Sequence, residues 1–456
     1  MTNSMETDKQ TVVFSKEIPV RYTVDVFVGG GGPAGTAAAI AAGRAGCSVF
    51  LAEGAGCLGG MGTAGLVPLY MPHTDGEHEL CGGIGREIMQ RMHKAGGGRY
   101  HHGDSIDAEL LKRTSDELVL DAGVTLSLHT HVVDVHAENG TIRDVILWGK
   151  SGLFAVRAQV YLDCTGDGDL CVLAGADYEK GDETGAMMAG TLCSQWEGIR
   201  WDDRDDTPQA AYEPPEMLWQ GEAIPQAVED GVLSVDDRHL PGIWRTGETS
   251  GGGNVGHAFG VDNTDEVSVT QALVEQRRRL TEYETYYRRY VPGFENARLV
   301  ASADTMGIRE SRRIVCDYQL CAEDYRRRAV FPDEIGRFNY PVDRHAATAE
   351  LADHAAFEEE FYHRYTRGES YGLPYRMLLP RGLTNALVAG KCAGTDKSMQ
   401  ASVRVMACCY IMGQAAGTAA ALSVQLACSP RRIPVDRLQQ VLRANGAYLP
   451  DNPANG

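Results

Sequence analysis

The hydrophobic pattern near the start of the chain predicts a strand, a helix and a second strand. Val24 to Val28 is a short apolar run of the kind found in buried strands. The Ala-rich stretch from Gly35 to Gly46 predicts a helix, and Cys47 to Glu53 predicts the next strand. These elements together have the ~30-residue length of one βαβ unit in a parallel sheet.

Alternating patterns further along predict an antiparallel meander of three strands. The three segments are Val124 to Asp134, Thr141 to Trp148 and Leu153 to Asp163. Asn139-Gly140 is a strong hairpin signal between the first two strands. After the third strand the chain enters a tight, Gly-containing turn that carries Thr165, Gly166 and Asp167.

A long uncharged segment follows a last short predicted strand, Asn385 to Gly390. It runs for 24 residues from Val405 to Cys428, which is enough to cross a bilayer. The segment is rich in Ala and Gly, however, whereas bilayer-facing helices carry more Leu, Ile, Val and Phe. It therefore predicts a helix buried in protein, with Gly413 and Gly417 allowing close packing against another element.

Charge and cysteine content exclude several classes of partner. The net charge is −19, and Lys and Arg form only short runs, so no basic footprint for nucleic acid is present. The cysteines show no C-x-x-C or zinc-ligand spacing, which argues against a metal site. Met1 to Lys16 has no signal-peptide pattern. We expect a cytoplasmic protein with free thiols, and neither a membrane nor nucleic acid as partner.

The turn between the first strand and helix has the spacing G-x-G-x-x-G. In this pattern the first glycine makes the turn, the second lets the backbone approach a pyrophosphate, and the third lets the helix pack on the strand. Gly30, Gly32 and Gly35 hold these positions, with Pro33 and Ala34 between the last two. The helix N-terminus offers N–H groups to phosphate. The segment predicts a dinucleotide site.

Glu53 adds a second element of that site. It lies 23 residues after Gly30, at the end of the second predicted strand. A carboxylate there can accept hydrogen bonds from the hydroxyls of an adenosine ribose. These residues alone leave NAD and FAD both open.

Segments spread over most of the chain favour FAD. They are Val28–Gly35, Cys57–Gly65, Asp163–Asp167, Gly307–Arg313, Tyr371–Pro380 and Asn385–Ala420. In these segments the chain resembles the FAD-dependent oxidoreductase family, which is built on the glutathione reductase-type flavin fold. The family is broad and mostly without assigned substrates, so the resemblance implies the cofactor and not the reaction partner.

The resemblance also implies which residues contact FAD. Beside the flavin ring it places Gly59, Gly60, Met61 and Thr63. Near the adenosine and pyrophosphate it places Thr165, Gly166 and Asp167, and near the ribitol Gly390. A helix beginning near Ser402, with Val403 and Arg404, would point its N-terminus at the pyrimidine end of the ring, where it would stabilise negative charge. Lys391-Cys392 departs from the acid that many such folds carry for the ribitol.

The fold class predicted from these patterns is α/β, a two-domain flavoprotein. Residues 20–180 and 380–430 are expected to form a discontinuous, Rossmann-like FAD-binding domain with an inserted β-meander. Residues 181–379, which include a charged helix near Val267 to Arg289, are expected to form an α+β substrate domain. Residues 1–19 and 431–456 are expected to be terminal extensions packed on the FAD-binding domain.

Candidate catalytic residues lie in the predicted substrate domain. His257 ends a Gly-rich loop and His345 follows Asp343 by two residues, so either could be a base, although a structural role is open for each. Arg309 and Arg376 could hold a carboxylate or polyol oxygen, and Tyr375 precedes Arg376. For Arg309 and its neighbour Glu310, an ion pair between the lobes is an equally open interpretation.

Three further motifs favour plain structural interpretations. His101-His102 and the pair His129 and His131 could suggest metal ligands, but the sequence shows no third ligand, so surface histidines are the better interpretation. Cys57 precedes the expected flavin loop and could be a redox thiol or a covalent attachment point, while a small packed side chain is the simpler expectation.

The resulting hypothesis is an FAD-dependent oxidoreductase that transfers a hydride between flavin N5 and a small polar substrate bearing a hydroxyl or an amine. Two alternatives stay open at this stage: a non-catalytic FAD-binding subunit or sensor acting with a partner protein, and an NAD-dependent dehydrogenase. A homo-oligomer is open, as is oxygen or an electron carrier as second substrate.

Overall fold

The computed structural model describes residues 11–71, 73–100, 104–201, 220–237, 242–348 and 365–450. Its largest sheet has seven strands, numbered in chain order. They are β1 Val20–Gly29, β2 Val49–Ala52, β3 Thr125–Ser127, β4 His131–Glu138, β5 Thr141–Gly149, β6 Gly152–Asp163 and β15 Ala386–Val388. The parallel strands β3-β2-β1-β6-β15 lie in this order, as a Rossmann-like fold requires.

The predicted meander is confirmed for β4, β5 and β6, which pair antiparallel. The turn between β4 and β5 is the predicted one: Asn139 and Gly140 have φ of 49° and 74°, the left-handed pair that a two-residue hairpin needs. The single strand predicted from Val124 to Asp134 is wrong. The chain breaks there into β3, which pairs parallel to β2, and β4, because His129 between them takes a φ of 50°.

Two helices cover one face of this sheet and contact each other along their length. They are α1, Pro33–Arg44, and α9, Met406–Gln425. A Cβ on Gly413 would lie 2.1 Å from the carbonyl oxygen of Ala34, and one on Gly417 would lie 2.2 Å from that of Ala38. Glycine at these positions therefore lets the two backbones touch. The predicted close packing through Gly413 and Gly417 is confirmed.

The central strand shows how the sheet divides the core. Val26 and Val28 of β1 face α1 and α9, while Phe27 between them faces the opposite side with Phe50 and Tyr161. This alternation follows from the two-residue period of a strand. Both faces are buried, as expected for a parallel sheet covered on each side.

A second, four-stranded sheet lies in the region of residues 194–302. It contains β8 Ser194–Glu197, β9 Gly242–Arg245, β10 Gly251–Asn254 and β11 Arg298–Ser302 in the order β11-β8-β10-β9, all antiparallel. The predicted charged helix is confirmed as α6, Glu266–Tyr290. Side chains of this sheet and of α6, among them Trp196, Tyr286 and Tyr287, form their own buried cluster.

The remaining helices and strands surround these two sheets. The helices are α2 Ile84–Lys94, α3 Ala108–Asp121, α4 Asp169–Leu173, α5 Ile224–Glu229, α7 Ala322–Arg326, α8 Lys397–Val403 and α10 Val435–Ala444. The strands are β7 Tyr178–Glu179, β12 Arg313–Ile314, β13 Glu334–Phe338 and β14 Tyr371–Pro374, with β7 pairing β12 and β13 pairing β14. Phe338 and Leu373 of the last pair pack in the cluster beneath α9.

The long uncharged helix is an internal element. Among the described residues α9 is the one helix long and apolar enough to cross a membrane, and 94% of its most apolar window is buried inside the protein. Its burial extends around the whole circumference, since residues from Met406 to Ser423 are buried without interruption. This is the expected arrangement for a helix packed on all sides by protein.

Candidate active site

The glycines of the first turn have separate structural roles. Gly30 has a φ of +93°, and a Cβ there would lie 2.4 Å from the carbonyl oxygen of Cys164. A Cβ on Gly35 would lie 1.7 Å from the carbonyl oxygen of Gly30, so only glycine lets α1 start this close to β1. Gly32 differs, since the nearest atom to its Cβ position is 4.0 Å away, on Gly60. The turn therefore leaves open space at its second glycine.

The start of α1 faces this space with backbone donors. The first N–H groups of a helix have no partner within it, and Gly32, the N-cap, supplies no side-chain acceptor. Pro33 has no N–H, so the donors here are those of Ala34 and Gly35. Beside them, Glu53 accepts hydrogen bonds from the N–H of Gly31 at 2.5 Å and of Ala55 at 2.6 Å, which fixes its carboxylate at the rim of the turn.

The segment predicted to run beside the flavin lies directly against the first turn. Gly59 and Gly60 have φ of +97° and +52° and open a single turn of 3-10 helix, Gly60–Gly62. A Cβ on Gly60 would lie 3.0 Å from Cα of Gly32. Thr63 closes this turn by donating its hydroxyl to the carbonyl of Leu58 at 2.6 Å. The carbonyl of Met61 accepts a hydrogen bond from the N–H of Val67 at 2.8 Å, which fixes the chain that follows the turn.

The turn after β6 reaches the same region from the other side. Asp167 receives a hydrogen bond from Lys391 Nζ at 2.6 Å and one from Asn263 Nδ2 at 2.6 Å. Thr165 and Gly166 precede it, and Gly166 lies against the Lys391 side chain. The sequence lacks an acid after Gly390, but the structure brings the carboxylate of Asp167 to that point through Lys391.

These elements fit a dinucleotide such as FAD. Gly390 has a φ of +100°, and a Cβ built on it would lie 3.4 Å from the Cβ of Ala34. The loop after β15 therefore lies at the start of α1. Gln400 donates to the carbonyl of Lys391 at 2.8 Å, while its buried Oε1 has no partner among the described residues. The free N–H groups at the start of α1 suit a phosphate, and the buried Oε1 of Gln400 is an acceptor that a bound group could satisfy.

The helix predicted to begin near Ser402 begins later. Ser402 and Val403 end α8, Arg404 follows it, and α9 starts at Met406 with Val405 as N-cap. Val405 has an extended backbone with ψ of 150° and no capping side chain, which separates the two helices. Ser402 is buried, and its hydroxyl bonds the carbonyl of Tyr340 at 2.5 Å and the hydroxyl of Tyr371 at 2.6 Å. Ser402 and Val403 thus form the buried last residues of α8, directly before the break between the two helices.

A chain of hydrogen bonds joins the two histidines singled out in the sequence. His257 Nε2 lies 2.8 Å from His345 Nδ1. On its other side, His257 Nδ1 lies 2.9 and 3.0 Å from the two carboxylate oxygens of Asp237, which also accepts the backbone N–H of His257 at 2.8 Å. His257 and Asp237 are 0% and 2% exposed. This arrangement makes His257 an internal link and leaves His345 as its outer end.

Asp343 lies beyond His345 and is more accessible. Its Oδ1 is 3.5 Å from His345 Nε2, and its Oδ2 accepts from Arg404 at 3.0 Å and from the hydroxyl of Tyr340 at 3.1 Å. Burial acts to raise the pKa of Asp343, but His345, Arg404 and Arg309 outweigh it and hold this pKa well below its usual range. Burial and the charge of Arg309 hold the pKa of His345 well below its ordinary value. At neutral pH the pair is a carboxylate beside a neutral imidazole.

Arg309 completes the group. Its guanidinium is buried and donates to the carbonyl of Ala189 at 2.9 Å, to the hydroxyl of Thr191 at 2.8 Å and to Asn254 Oδ1 at 3.1 Å. Burial, followed by the charge of Arg404, lowers the pKa of Arg309 to about 10. Of the ion pairs left open for Arg309 and Glu310, the described structure shows one for Glu310, with Arg313 at 2.9 Å, while the hydrogen bonds of Arg309 go to uncharged groups.

Two of the predicted catalytic residues are elsewhere. Arg376 is 44% exposed along its side chain and pairs with Asp333 at 2.9 Å. Tyr375 is buried and donates its hydroxyl to the carbonyl of Pro430 at 3.0 Å. Neither contacts the histidine chain in the described structure, so the structure does not bring them together with His257, His345 and Arg309. Their contacts support the fold.

Sequence reasoning missed Asp237 and gave no role to Asp343. Asp343 carried a signal, because it lies two residues before His345. Asp237 carried none: it lies 20 residues before His257 in a loop without a motif, and only the fold brings the two together. Arg404 was predicted for the cofactor and is found bonded to Asp343, which joins the break before α9 to the histidine chain.

The other candidate motifs show no chemistry of their own. Among the described residues no group of three or more His, Cys, Asp or Glu side chains could hold a metal ion, and His129 and His131 lie against Gly56 and Gly54. His101 and His102 lie outside the described residues. The thiol of Cys57 is 3.6 Å from the hydroxyl of Thr63, a contact typical of a packed side chain.

Comparison with known proteins places the chain in a family. No curated protein sequence matches it. Among solved structures it is similar to a geranylgeranyl bacteriochlorophyll reductase-like protein from Thermoplasma acidophilum, with 12% identity, 93% of this chain and 84% of that chain covered, and a TM-score of 0.46. It is also similar to p-nitrophenol 4-monooxygenase from Pseudomonas putida, with 11% identity, 95% and 91% coverage and a TM-score of 0.46.

At such scores these structures do not indicate a reaction or a substrate. The sequence match is decisive: the family described as FAD dependent oxidoreductase matches residues 25–442. This range includes both the glycine turn and the group around His345. It also decides between the cofactors left open by the sequence, so NAD is not retained as the alternative. The chain belongs to the FAD-dependent oxidoreductase family, and it is an FAD-dependent enzyme.

Proposed function

We propose that this enzyme oxidises a small polar molecule at a carbon that bears a hydroxyl or an amine, and that His345 takes the proton of that group. The observation that supports it is the pair of proton acceptors formed by neutral His345 and ionised Asp343, 3.5 Å apart. Two acceptors side by side favour a donor between them. A substrate O–H or N–H is such a donor.

Bound FAD supplies the acceptor for the two electrons that leave the substrate carbon as hydride. His345 and the residues around it then move the proton and stabilise the charge that forms. His345 accepts the hydroxyl or amine proton at Nε2, so that a carbonyl or imine forms as the hydride leaves. Asp343 stabilises the resulting imidazolium, because its carboxylate is next to the same nitrogen. Arg404, bonded to Asp343, holds that carboxylate in place.

Arg309 and Arg404 give the proposal a preference for the rest of the substrate. Each guanidinium has five N–H donors, and each makes three of the hydrogen bonds found in the described structure: Arg309 to Ala189, Thr191 and Asn254, and Arg404 to Ala401 and, twice, to Asp343. The remaining donors suit a carboxylate or a polyol oxygen. We therefore favour hydroxy acids, amino acids and sugar acids as substrates.

The proposal keeps the predicted division of the chain. Asp237, His257, Arg309, Asp343 and His345 all come from the segment 181–379 that was assigned to the substrate. The glycine turn and the loop after β15 come from the segments assigned to FAD. Arg404 is the link, since it belongs to the second FAD segment and bonds Asp343. Oxygen or an electron carrier would then remove the electrons from reduced FAD, and a small molecule is the substrate.

The test begins with the spectrum of the FAD-loaded protein. Under anaerobic conditions it is titrated with hydroxy acids, amino acids, sugar acids and simple alcohols, and the loss of flavin absorbance is recorded. We expect an acid-bearing compound to bleach the flavin, and its methyl ester to do so more weakly because the ester has lost the charge that Arg309 and Arg404 would bind.

The matched variants are His345→Gln and Arg376→Ala. We expect His345→Gln to slow bleaching about 10²–10⁴-fold, the usual contribution of a positioned base, and Arg376→Ala to leave it unchanged. If no compound bleaches the flavin while photoreduction does, or if His345→Gln reacts as fast as the parent, the proposed oxidation at His345 is wrong. A non-catalytic FAD subunit would show the first of these results.

A further inference from the structure

We infer that Asp237 is a positioning residue that sets the tautomer of two histidines in series, so that the unprotonated nitrogen of His345 is Nε2. This inference deepens the proposed function and rests on it for its catalytic meaning. The observation is the uninterrupted chain from Asp237 through His257 to His345, with heavy-atom distances of 2.9 and 2.8 Å.

The direction of the hydrogen bonds follows from the first member. A carboxylate has only acceptors, so the hydrogen bond between His257 Nδ1 and Asp237 requires a proton on that nitrogen. His257 Nε2 is then an acceptor, and His345 must donate to it from its own Nδ1. The proton of neutral His345 then lies on Nδ1, and Nε2 carries the lone pair. Asp343 is also a carboxylate and favours the opposite order, but its Oδ1 is 3.5 Å from His345 Nε2, whereas the oxygens of Asp237 are 2.9 and 3.0 Å from His257 Nδ1. Without this order, the base would present an N–H to the substrate.

The geometry of Asp237 makes the amide variant informative. Its Oδ2 accepts the backbone N–H of His257 at 2.8 Å, and a backbone N–H can only donate. In Asp237→Asn the amide oxygen must therefore occupy this position. The amide NH2 then takes the place of Oδ1, 3.0 Å from His257 Nδ1, where it can only donate. The amide oxygen stays 2.9 Å from the same nitrogen, but the NH2 opposes a proton on His257 Nδ1. The variant therefore raises the share of His257 that carries its proton on Nε2 and, through the next bond, the share of His345 that does so.

Both histidines are buried, which isolates this order from water. His257 is 0% and His345 is 6% exposed, so neither ring can exchange its partner for solvent without a movement of the chain. A wrong tautomer of the oriented histidine in a serine protease triad lowers turnover about 10⁴-fold. Here a change of tautomer at His257 reaches the base, His345, through the hydrogen bond between the two rings.

The decisive measurement is nitrogen NMR on the FAD-loaded protein labelled with ¹⁵N at histidine. The signals are assigned with His257→Gln and His345→Gln. At a pH where both rings are neutral, we expect Nδ1 of each to show the shift of a protonated nitrogen and Nε2 that of an unprotonated one. In Asp237→Asn we expect the Nε2-protonated form of both rings to gain population, so that the Nδ1 and Nε2 shifts of each ring move towards one another or exchange. The parent protein alone overturns the inference if His345 carries its proton on Nε2.

A matched control is available in a second Asp–His pair. Asp75 accepts the backbone N–H of His78 at 2.7 Å and lies 3.1 Å from its Nδ1, but this pair does not lead to His345. We expect Asp75→Asn to alter the signals of His78 and leave those of His257 and His345 unchanged. A change at His345 in this variant would mean that the tautomer responds to general disturbance, and the inference would fail.

A kinetic measurement adds the functional arm. With a compound that bleaches the flavin, Asp237→Asn should slow anaerobic reduction about 10²–10⁴-fold while the FAD dissociation constant stays within about twofold. An unchanged reduction rate together with exchanged tautomers would contradict the catalytic part of the inference. If no compound bleaches the flavin, the proposed function fails, but the NMR result still decides whether Asp237 sets the tautomers.

Discussion

A pair of glycine substitutions separates folding from cofactor binding in the first turn. Gly32→Ala adds a methyl group whose nearest neighbour is 4.0 Å away, and Gly32 has φ of −65° and ψ of −174°, which alanine adopts without strain. Gly35→Ala puts the same methyl group 1.7 Å from the carbonyl oxygen of Gly30. The two changes are chemically identical and lie three residues apart.

We expect Gly32→Ala to keep the stability of the apo protein within about 0.5 kcal/mol, as for substitutions that meet no neighbour. FAD binding should weaken, because the methyl group occupies the space through which a phosphate approaches the N–H groups of Ala34 and Gly35. Losing one to two charge-assisted hydrogen bonds of about 1.5–3 kcal/mol each gives roughly 3 kcal/mol, or about a 100-fold higher Kd. Gly35→Ala should cost more than about 4 kcal/mol through displacement of α1.

Stability is measured by urea unfolding of the apo proteins. FAD binding is measured by calorimetric titration of each apo protein with FAD. The expected pattern is a folded Gly32→Ala protein with weak FAD binding, and a Gly35→Ala protein that is destabilised with or without FAD. If Gly32→Ala binds FAD with the parent Kd, the phosphates do not lie at this turn and the reasoning about the turn is refuted. If Gly35→Ala is as stable as the parent, the close approach of α1 to β1 does not require glycine at position 35.

Three further predictions concern buried charge, pH and packing. Glu310→Gln removes the nearer of two carboxylates paired with Arg313, at side-chain exposures of 0% and 4%, and leaves Glu179 at 3.7 Å. It should lower the free energy of unfolding in urea by up to about 3–5 kcal/mol; an effect below 1 kcal/mol would contradict this. Arg328 holds the pKa of Glu369 down to about 2, so this pair stabilises the fold above the ordinary value of 4.5 and loses that contribution as pH falls towards 2; Glu369→Gln should cost at most about 1 kcal/mol at pH 7 and nothing near pH 2 by thermal unfolding. Gly413→Val should lower the melting temperature sharply, because even the first carbon of the new side chain would lie 2.1 Å from a backbone oxygen of α1; a parent-like melting temperature would mean that α1 and α9 do not touch.

The parts of the fold that the sequence predicted are those fixed by neighbouring residues. The hairpin at Asn139-Gly140 needs two left-handed residues in a row, and these two types favour that conformation wherever they occur. The glycine turn likewise combines its strand, helix and glycines within a few residues. Local chemistry determines such elements, so they can be derived before any tertiary contact is known.

The parts that the sequence did not predict depend on distant contacts. The break at Val405 lies within an apolar run that looks helical throughout, and the predicted start near Ser402 failed because tertiary packing decides where α9 begins. Asp237 is one of many acids, and its bond to His257 forms only through the fold. Arg376 was misleading for the opposite reason: its segment resembles the family, but its side chain turns to Asp333.

The contact between α1 and α9 has a consequence for the order of events during synthesis. Ala34 lies beside Gly413, so the first turn is supported by a helix that leaves the ribosome nearly 380 residues later. The strand β15 joins the edge of β6 equally late. A nascent chain that has emerged only to residue 385 thus lacks one strand of the sheet and the helix that covers it. We expect the growing polypeptide to acquire FAD only after α9 has emerged, because until then the sheet face beneath that helix is uncovered.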